Sequence, residues 1–431
     1  MQCWNVSAVD NSSSASSDRF NISNSCALFD FALYTVGVGT MVMLGVAGNS
    51  LSFVVLLAQS RDTSRGRDTS RAGRPVSRYR TSASDTSFLL RALAAADTVT
   101  LLAAVPLYVL PPIYPLTGYL DQYYQLYLTI LPFLWPIYLI PFTGSVFITV
   151  LVSVDRYLAV CRPFGSGVGL GKFSGPLSAR RVRCLITALA VVAVIYNVPR
   201  FFEYQRVEEC IPGVNATRVG FEITEFGAHL LYRIVYANVL YFVVVHGGPL
   251  LALGFFNVRL MQALRRRHRR RLEMTAAAAG EHGVTRAQRD VTMTLVGVIC
   301  VFILCQTPTL VDHVLWTVVD SEERQCGGWH YFYTAVGDAL AVLNSSVNFV
   351  VYVLTSHRFR RDLLVALRCA RDRSADVMTE TTCGPATVIA CRSSARQRAL
   401  ESTEPLTTIS VPAQFTSSQW RSAARRQHSV M

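Results

Sequence analysis

The chain has 431 residues, 51% of them hydrophobic and 16% charged, and its mean hydropathy is positive. Soluble domains carry about a quarter charged residues, so this much apolar surface needs hydrocarbon as its solvent. The 41 basic residues, all arginine except Lys172, outnumber 28 acidic ones, and the composition excludes a small soluble domain, a disordered chain and a disulfide-stapled miniprotein.

Nearly charge-free apolar stretches predict seven membrane-spanning helices. They run over 31–58, 98–120, 122–154, 184–199, 234–258, 291–311 and 327–357, the last interrupted only by Asp338. A helix needs about 20 residues to cross roughly 30 Å of hydrocarbon, and nearly all of these suffice. The second is expected to begin near Leu89 and include Asp97. The fourth must borrow residues at its cytoplasmic end. No alternation suited to an outer-membrane barrel appears. The predicted fold class is an all-α membrane protein, a seven-transmembrane helix bundle.

Charge gives its orientation. The connections 59–88, 155–183 and 259–290 hold 22 basic residues; the N-terminal segment and the connections 111–125, 200–233 and 312–330 hold six. Positive charge stays on the cytoplasmic side, so the N-terminus lies outside and the C-terminus inside. The glycosylation sequons at Asn5, Asn11, Asn21 and Asn215 all fall on that outside, whereas the one at Asn344 lies within a helix. Residues 1–28 contain no run resembling a signal peptide, so the first helix is expected to act as the targeting signal.

Four segments follow: a glycosylated extracellular segment at 1–28, the bundle at 29–356, a membrane-lying helix at 357–369 and a tail at 370–431. The first cytoplasmic loop repeats Arg-Asp-Thr-Ser at 61–64 and 67–70, which reads as a disordered, basic insertion near anionic lipid. Phe359, Leu363 and Leu367 recur at helical spacing between arginines, predicting an amphipathic helix on the inner leaflet. Cys369 at its end is a candidate for palmitoylation. The Ser-, Thr- and Arg-rich tail reads as disordered and phosphorylatable.

Polar groups inside hydrocarbon are costly, so those present are candidate functional residues. Asn49 and Asp97 sit mid-way in the first two helices. The third carries Thr143, Gly144 and Ser145 at its centre and Asp155-Arg156-Tyr157 at its cytoplasmic end. The seventh carries Asp338, Asn344, Ser345 and Asn348. For an isolated Asn or Ser the plainer reading is interhelical packing glue. Asp97 needs more, because a buried carboxylate requires a cation, a proton or several donors.

These residues, in order on seven spans, make the chain resemble a rhodopsin-like G-protein-coupled receptor. Gly48-Asn49, Leu93-Ala-Ala-Ala-Asp97, Asp155-Arg156-Tyr157, Pro249, Phe302 with Pro308, and Asn348-Phe-Val-Val-Tyr352 carry the resemblance over about residues 30–370. The run Tyr196-Asn197-Val198-Pro199-Arg200-Phe201-Phe202-Glu203-Tyr204 is similar to receptors for FMRFamide and related neuropeptides. So are Thr143-Gly144-Ser145-Val146 and Asn344-Ser-Ser-Val-Asn348-Phe349. There are departures. Phe349 replaces the family's seventh-helix proline, Gln306 stands where a tryptophan is usual, and Leu131 occupies the position of the cysteine that normally caps the third helix. The external cysteines Cys3, Cys26, Cys210 and Cys326 are expected to pair in an oxidising compartment. Three connectivities are open, and Cys210 bonded to one of the other three is favoured.

The resemblance implies a plasma-membrane receptor, not an enzyme, whose partners are a peptide ligand, a heterotrimeric G protein, receptor kinases and arrestin at the tail, and membrane lipid, with no nucleic acid. It implies Asp155, Arg156, Tyr157, Asn348 and Tyr352 as the activation residues, Asp155 holding Arg156 at rest. No cofactor is implied beyond an allosteric sodium ion held by Asp97, Ser145, Asn344, Ser345 and Asn348. An opsin would need a seventh-helix lysine, a monoamine receptor a carboxylate deep in the third helix, and a transporter a repeated half-structure. None is present. A receptor for another peptide or a small ligand stays open.

Charge also points to the ligand. The predicted outer face carries 13 acids against six basic residues, a field that gathers cations. Asp312 and Asp338 lie inside helix ends, where a carboxylate is costly without a partner. FMRFamide-like peptides end in Arg-Phe-amide, and the guanidinium would suit these acids. Tyr138, His313 and Trp316 are expected to line the pocket, with Glu203 and Gln306 completing the set.

Overall fold

The computed structural model describes residues 24–68, 78–161, 179–210, 217–274 and 282–377, apart from 317 and 321. Six helices are long and apolar enough to cross a membrane: α1 (Asn24–Ser60), α2 (Ser87–Thr117), α3 (Asp121–Cys161), α4 (Ala179–Phe202), α5 (Tyr232–Ala263) and α6 (Val296–Leu315). The seventh, α7, is a bent pair, Trp329–Ser346 and Asn348–Thr355, set at 50° to one another. After a break at Ser356 comes α8 (His357–Val377). Between α4 and α5 lies an antiparallel hairpin, β1 (Tyr204–Cys210) with β2 (Thr217–Ile223), in which Val207 faces Gly220. Compactness divides the chain after Leu363. The bundle belongs to Met1–Leu363, and the described part of Leu364–Met431 is helix.

Apolar residues serve two surfaces, as a membrane bundle requires. Leu101, Phe142, Val146, Leu253, Phe302 and Val342 fill the interior, while Leu44, Ile195, Leu251 and Leu304 are exposed on the outer face. Helices bond most of their backbone groups internally, so that outer face is compatible with lipid tails. Small residues bring α1 against α7. A Cβ on Gly45 would stand 2.6 Å from Cβ of Ser346, and one on Gly48 2.7 Å from Cβ of Phe349.

The α7 bend occurs without a proline in α7. Asn49 on α1 donates its side-chain amide to the Ser345 carbonyl at 2.9 Å. The Ser345 carbonyl lies at the break, four residues before Phe349, so the Asn49 side chain enters the ladder where the helix bends, a recurrent setting for kinks.

Wide π-helical turns interrupt α1 at Phe31–Val38 and α2 at Val105–Val109. Their freed carbonyls are taken by side chains. Thr35 donates to the Val109 carbonyl at 2.8 Å, and the Tyr123 hydroxyl donates to the Pro106 carbonyl. Such turns favour functional positions, and these two carry Tyr34 and Tyr108.

Several predicted boundaries need correction. The first helix begins at Asn24, inside the expected 1–28 segment. The first cytoplasmic loop is helical to Asp68 and again from Arg78, so the first Arg-Asp-Thr-Ser repeat is helix rather than disordered insertion. The helix after α7 runs eight residues past Cys369 into the expected tail. All three have one cause: a helix already nucleated propagates cheaply through residues with adequate propensity. The fourth span does extend at its cytoplasmic end, to Ala179.

Candidate functional site

Near the outer end of the bundle, Asp338 of α7 accepts from the Tyr34 hydroxyl of α1 at 3.3 Å, and the Tyr108 hydroxyl of α2 also faces it. Tyr34 stacks on Tyr108 at 5.5 Å, and Tyr108 meets Tyr138 of α3 edge-on at 5.5 Å. Asp338 is therefore surrounded by tyrosines where four helices meet. Asp312 of α6, within electrostatic reach of Asp338, is held toward α7 by Thr334 at 2.7 Å and His330 at 3.3 Å.

The remaining predicted ligand residues divide. His313 faces α5, with Nε2 3.3 Å from the Asn238 carbonyl and its ring 5.1 Å from Tyr241. Trp316 lies at the rim, 50% exposed, with the Arg324 guanidinium 5.1 Å over its ring. Gln306 is wholly buried on α6, deeper than either. Glu203 is not available to a ligand cation. It pairs with Arg200 at 2.8 Å and accepts from the Tyr232 hydroxyl at 3.2 Å. Arg200 lies over Tyr236 and Tyr241, so this cluster ties the end of α4 to α5. Sequence reasoning missed it, although Arg200 and Glu203 stand at the i, i+3 spacing of a helical ion pair.

Half-way down, Asp97 is fully buried. Ser145 donates to one of its oxygens at 2.5 Å and Asn348 to the other at 2.7 Å, and the Ser345 side chain adjoins it. Asn49 Oδ1 is buried without a hydrogen-bond partner among the described residues. Apart from the Asn348 amide nitrogen turned to Asp97, the cluster offers hard oxygens and one formal negative charge, which fits a monovalent cation. Asn344 is buried too, but no described hydrogen bond joins it to Asp97. On the neighbouring face, Asn197 of α4 donates to Thr143 at 3.3 Å.

At the cytoplasmic end of α3, Arg156 donates to Asp155 Oδ2 from Nη2 at 2.5 Å and from Nε at 3.1 Å. Both side chains are buried. Tyr157 packs on Phe256 of α5 at 5.4 Å, and Tyr352 on Phe359 of α8 at 5.6 Å. Arg265 and Arg266, on the continuation of α5, are exposed.

The family model for the 7 transmembrane receptor (rhodopsin family) matches residues 75–352, more than half of the chain. The chain belongs to the rhodopsin family of seven-transmembrane receptors. The receptor is 26% identical over 350 residues to the FMRFamide receptor of Drosophila melanogaster, covering 80% of this chain and 56% of that one. It is 27% identical over 341 residues to an FMRFamide peptide receptor of Caenorhabditis elegans, covering 78% and 69%. Neuromedin-U receptor 1 of Mus musculus is 25% identical over 345 residues, covering 75% and 70%. The receptor thus spans little more than half the length of its fruit-fly relative.

In the receptor, Cys26 at the head of α1 is disulfide-bonded to Cys326, just before α7. This bond belongs to one of the three expected connectivities, the one that leaves Cys3 as the external cysteine for Cys210. The physical reason is proximity. Phe29 packs edge-on against Phe332 at 4.8 Å and Tyr331 donates to Asp30 at 2.5 Å, holding the two helix heads together. Of the remaining expected positions, Cys3, Asn5, Asn11, Asn21 and Asn215 lie outside the described residues, as do the side chains of Cys210 and Cys369.

Proposed function

We propose that the receptor binds an extracellular neuropeptide ending in Arg-Phe-amide and activates heterotrimeric G proteins from the plasma membrane. The observation that carries this reading is Asp338. It is a carboxylate inside the bundle, walled by Tyr34, Tyr108 and Tyr138, with no cationic side chain paired to it among the described residues. A guanidinium suits such a setting by charge pairing and by its attraction to aromatic faces. The similarity to two FMRFamide receptors supports that ligand class. The similarity to a neuromedin-U receptor keeps a different neuropeptide as the second reading.

Signalling follows from a two-state bundle. An agonist that binds the open arrangement better shifts the population toward it. Asp155 holds Arg156 at rest, and on activation Arg156 is released to the G protein while Tyr352 moves inward. A sodium ion held by Asp97 with Ser145, Ser345, Asn348 and the neighbouring Asn344 supplies positive charge that favours the resting bundle. Receptor kinases, arrestin and anionic lipid are further partners, through the tail and the arginines after α5.

The deciding experiment exposes cells expressing the full chain to a panel of amidated neuropeptides and reads calcium and cyclic-nucleotide responses. Peptides ending in Arg-Phe-amide should be the potent ones; response only to peptides without that ending would overturn the ligand reading. The sodium reading has its own test. Asp97→Asn removes the only formal charge of the cluster, so agonist affinity should cease to depend on sodium concentration. A wild-type receptor indifferent to sodium would leave a polar network as the cluster's role.

A further inference from the structure

Gln306 on α6 and His246 on α5 are 0% and 1% exposed, yet both amide atoms of Gln306 and both ring nitrogens of His246 lack hydrogen-bond partners among the described residues. The two side chains are close enough to bond to one another. That bond satisfies one polar atom of each and leaves the other without a partner among the described residues. Such atoms are costly in an apolar interior, where an aliphatic residue would have packed without penalty. The pair also lies beneath the tyrosines around Asp338. His246 is 5.2 Å from the Tyr241 ring, which in turn is 5.1 Å from His313.

We propose that Gln306, assisted by His246, is the subsite that reads the C-terminal carboxamide of the peptide. This rests on the Arg-Phe-amide reading above and adds which end of the peptide lies deepest. A primary carboxamide offers one acceptor oxygen and two N–H donors, the same complement as the Gln306 side chain. Two such groups pair through two parallel N–H···O bonds, and His246 supplies a further donor or acceptor. A free carboxylate offers acceptors alone. It would set one oxygen against Gln306 Oε1 and bring an uncompensated charge into the bundle, because Arg200, beyond Tyr241, is already paired with Glu203. The depth is suitable. Gln306 lies six residues inward of Asp312, the α6 acid within electrostatic reach of Asp338, about 9 Å along the helix. The residue after arginine and its amide extend roughly 7 Å, and the Gln306 side chain reaches the remainder.

The test compares two peptides identical except for a terminal amide or acid, by displacement of a labelled amidated peptide from cells expressing the full-length receptor. Binding is read rather than signalling, so that an effect on activation is not mistaken for one on recognition. Wild type should prefer the amide by at least about tenfold, as sites built to pair a polar group do. Gln306→Leu should weaken the amide by about tenfold, leave the acid unchanged and so remove the preference. Gln306→Met, nearer in shape, gives the same comparison if the leucine variant does not reach the surface. A preference that survives in either variant at matched surface expression overturns the proposal. So does equal affinity of the two peptides for wild type, which leaves the Arg-Phe reading standing. If no Arg-Phe peptide binds wild type in either form, both readings fall.

Discussion

Replacing Arg156 with alanine should abolish G-protein activation while leaving surface expression and peptide binding largely intact. Arg156 is a buried guanidinium at the cytoplasmic end of α3, and two of its hydrogen bonds, at 2.5 and 3.1 Å, go to its neighbour Asp155. Loss of the pair leaves Asp155 buried, so some loss of stability is expected and expression must be matched before signalling is compared. Asp155→Asn provides a test of opposite sign. It keeps a hydrogen-bonding group but weakens the hold on Arg156, and basal signalling should rise. An epitope tag outside, a labelled peptide and a G-protein assay separate the three quantities. Full signalling by Arg156→Ala at matched expression would sink the assignment.

Asp338→Asn should weaken an Arg-Phe-amide peptide by at least about tenfold, on the order of 1.4 kcal/mol. The variant keeps the shape of the site and can still accept from Tyr34, so the tyrosine wall should stand. What it loses is the charge that would meet the peptide's arginine. Pairing the mutation with a citrulline-for-arginine peptide isolates that interaction. Citrulline should cost wild type about as much as Asp338→Asn costs the natural peptide, and the two changes together should cost little more than either. Asp312 is the alternative partner, and its existing contacts with Thr334 and His330 make it the weaker candidate. If citrulline leaves wild-type potency unchanged, neither acid reads the arginine.

The parts of this fold that were legible in the sequence are those set by the solvent. Hydrocarbon thickness fixes helix length, the cost of moving arginine across a membrane fixes loop location, and burial of Asp97 demands donors. Two of its expected companions, Ser145 and Asn348, come from helices far apart in sequence and hydrogen-bond to it directly. What could not be read depends on tertiary proximity. The tyrosines facing Asp338 sit on widened turns of α1 and α2 that no periodicity announces. The bend in α7 falls where Asn49 of another helix bonds the Ser345 carbonyl, so a missing proline was misleading as a local sign. Glu203 was counted among the acids facing the ligand because its charge is visible in sequence. Its pairing with Arg200 is local, but the Tyr232 hydroxyl that completes the cluster depends on how the end of α4 meets α5.

The join between the heads of α1 and α7 has a consequence for where this receptor can move. Cys26–Cys326, Tyr331 on Asp30, Phe29 on Phe332 and Tyr34 on Asp338 close one side of the bundle from its outer edge inward, and Asn49 continues that closure to Ser345. A barrel of staves riveted along one seam can part only elsewhere. Away from the seam, α5 carries two successive widened turns, and Pro308 of α6 has no N–H to give to the helix ladder. Movement on activation is therefore expected in α5 and α6 rather than between the heads of α1 and α7.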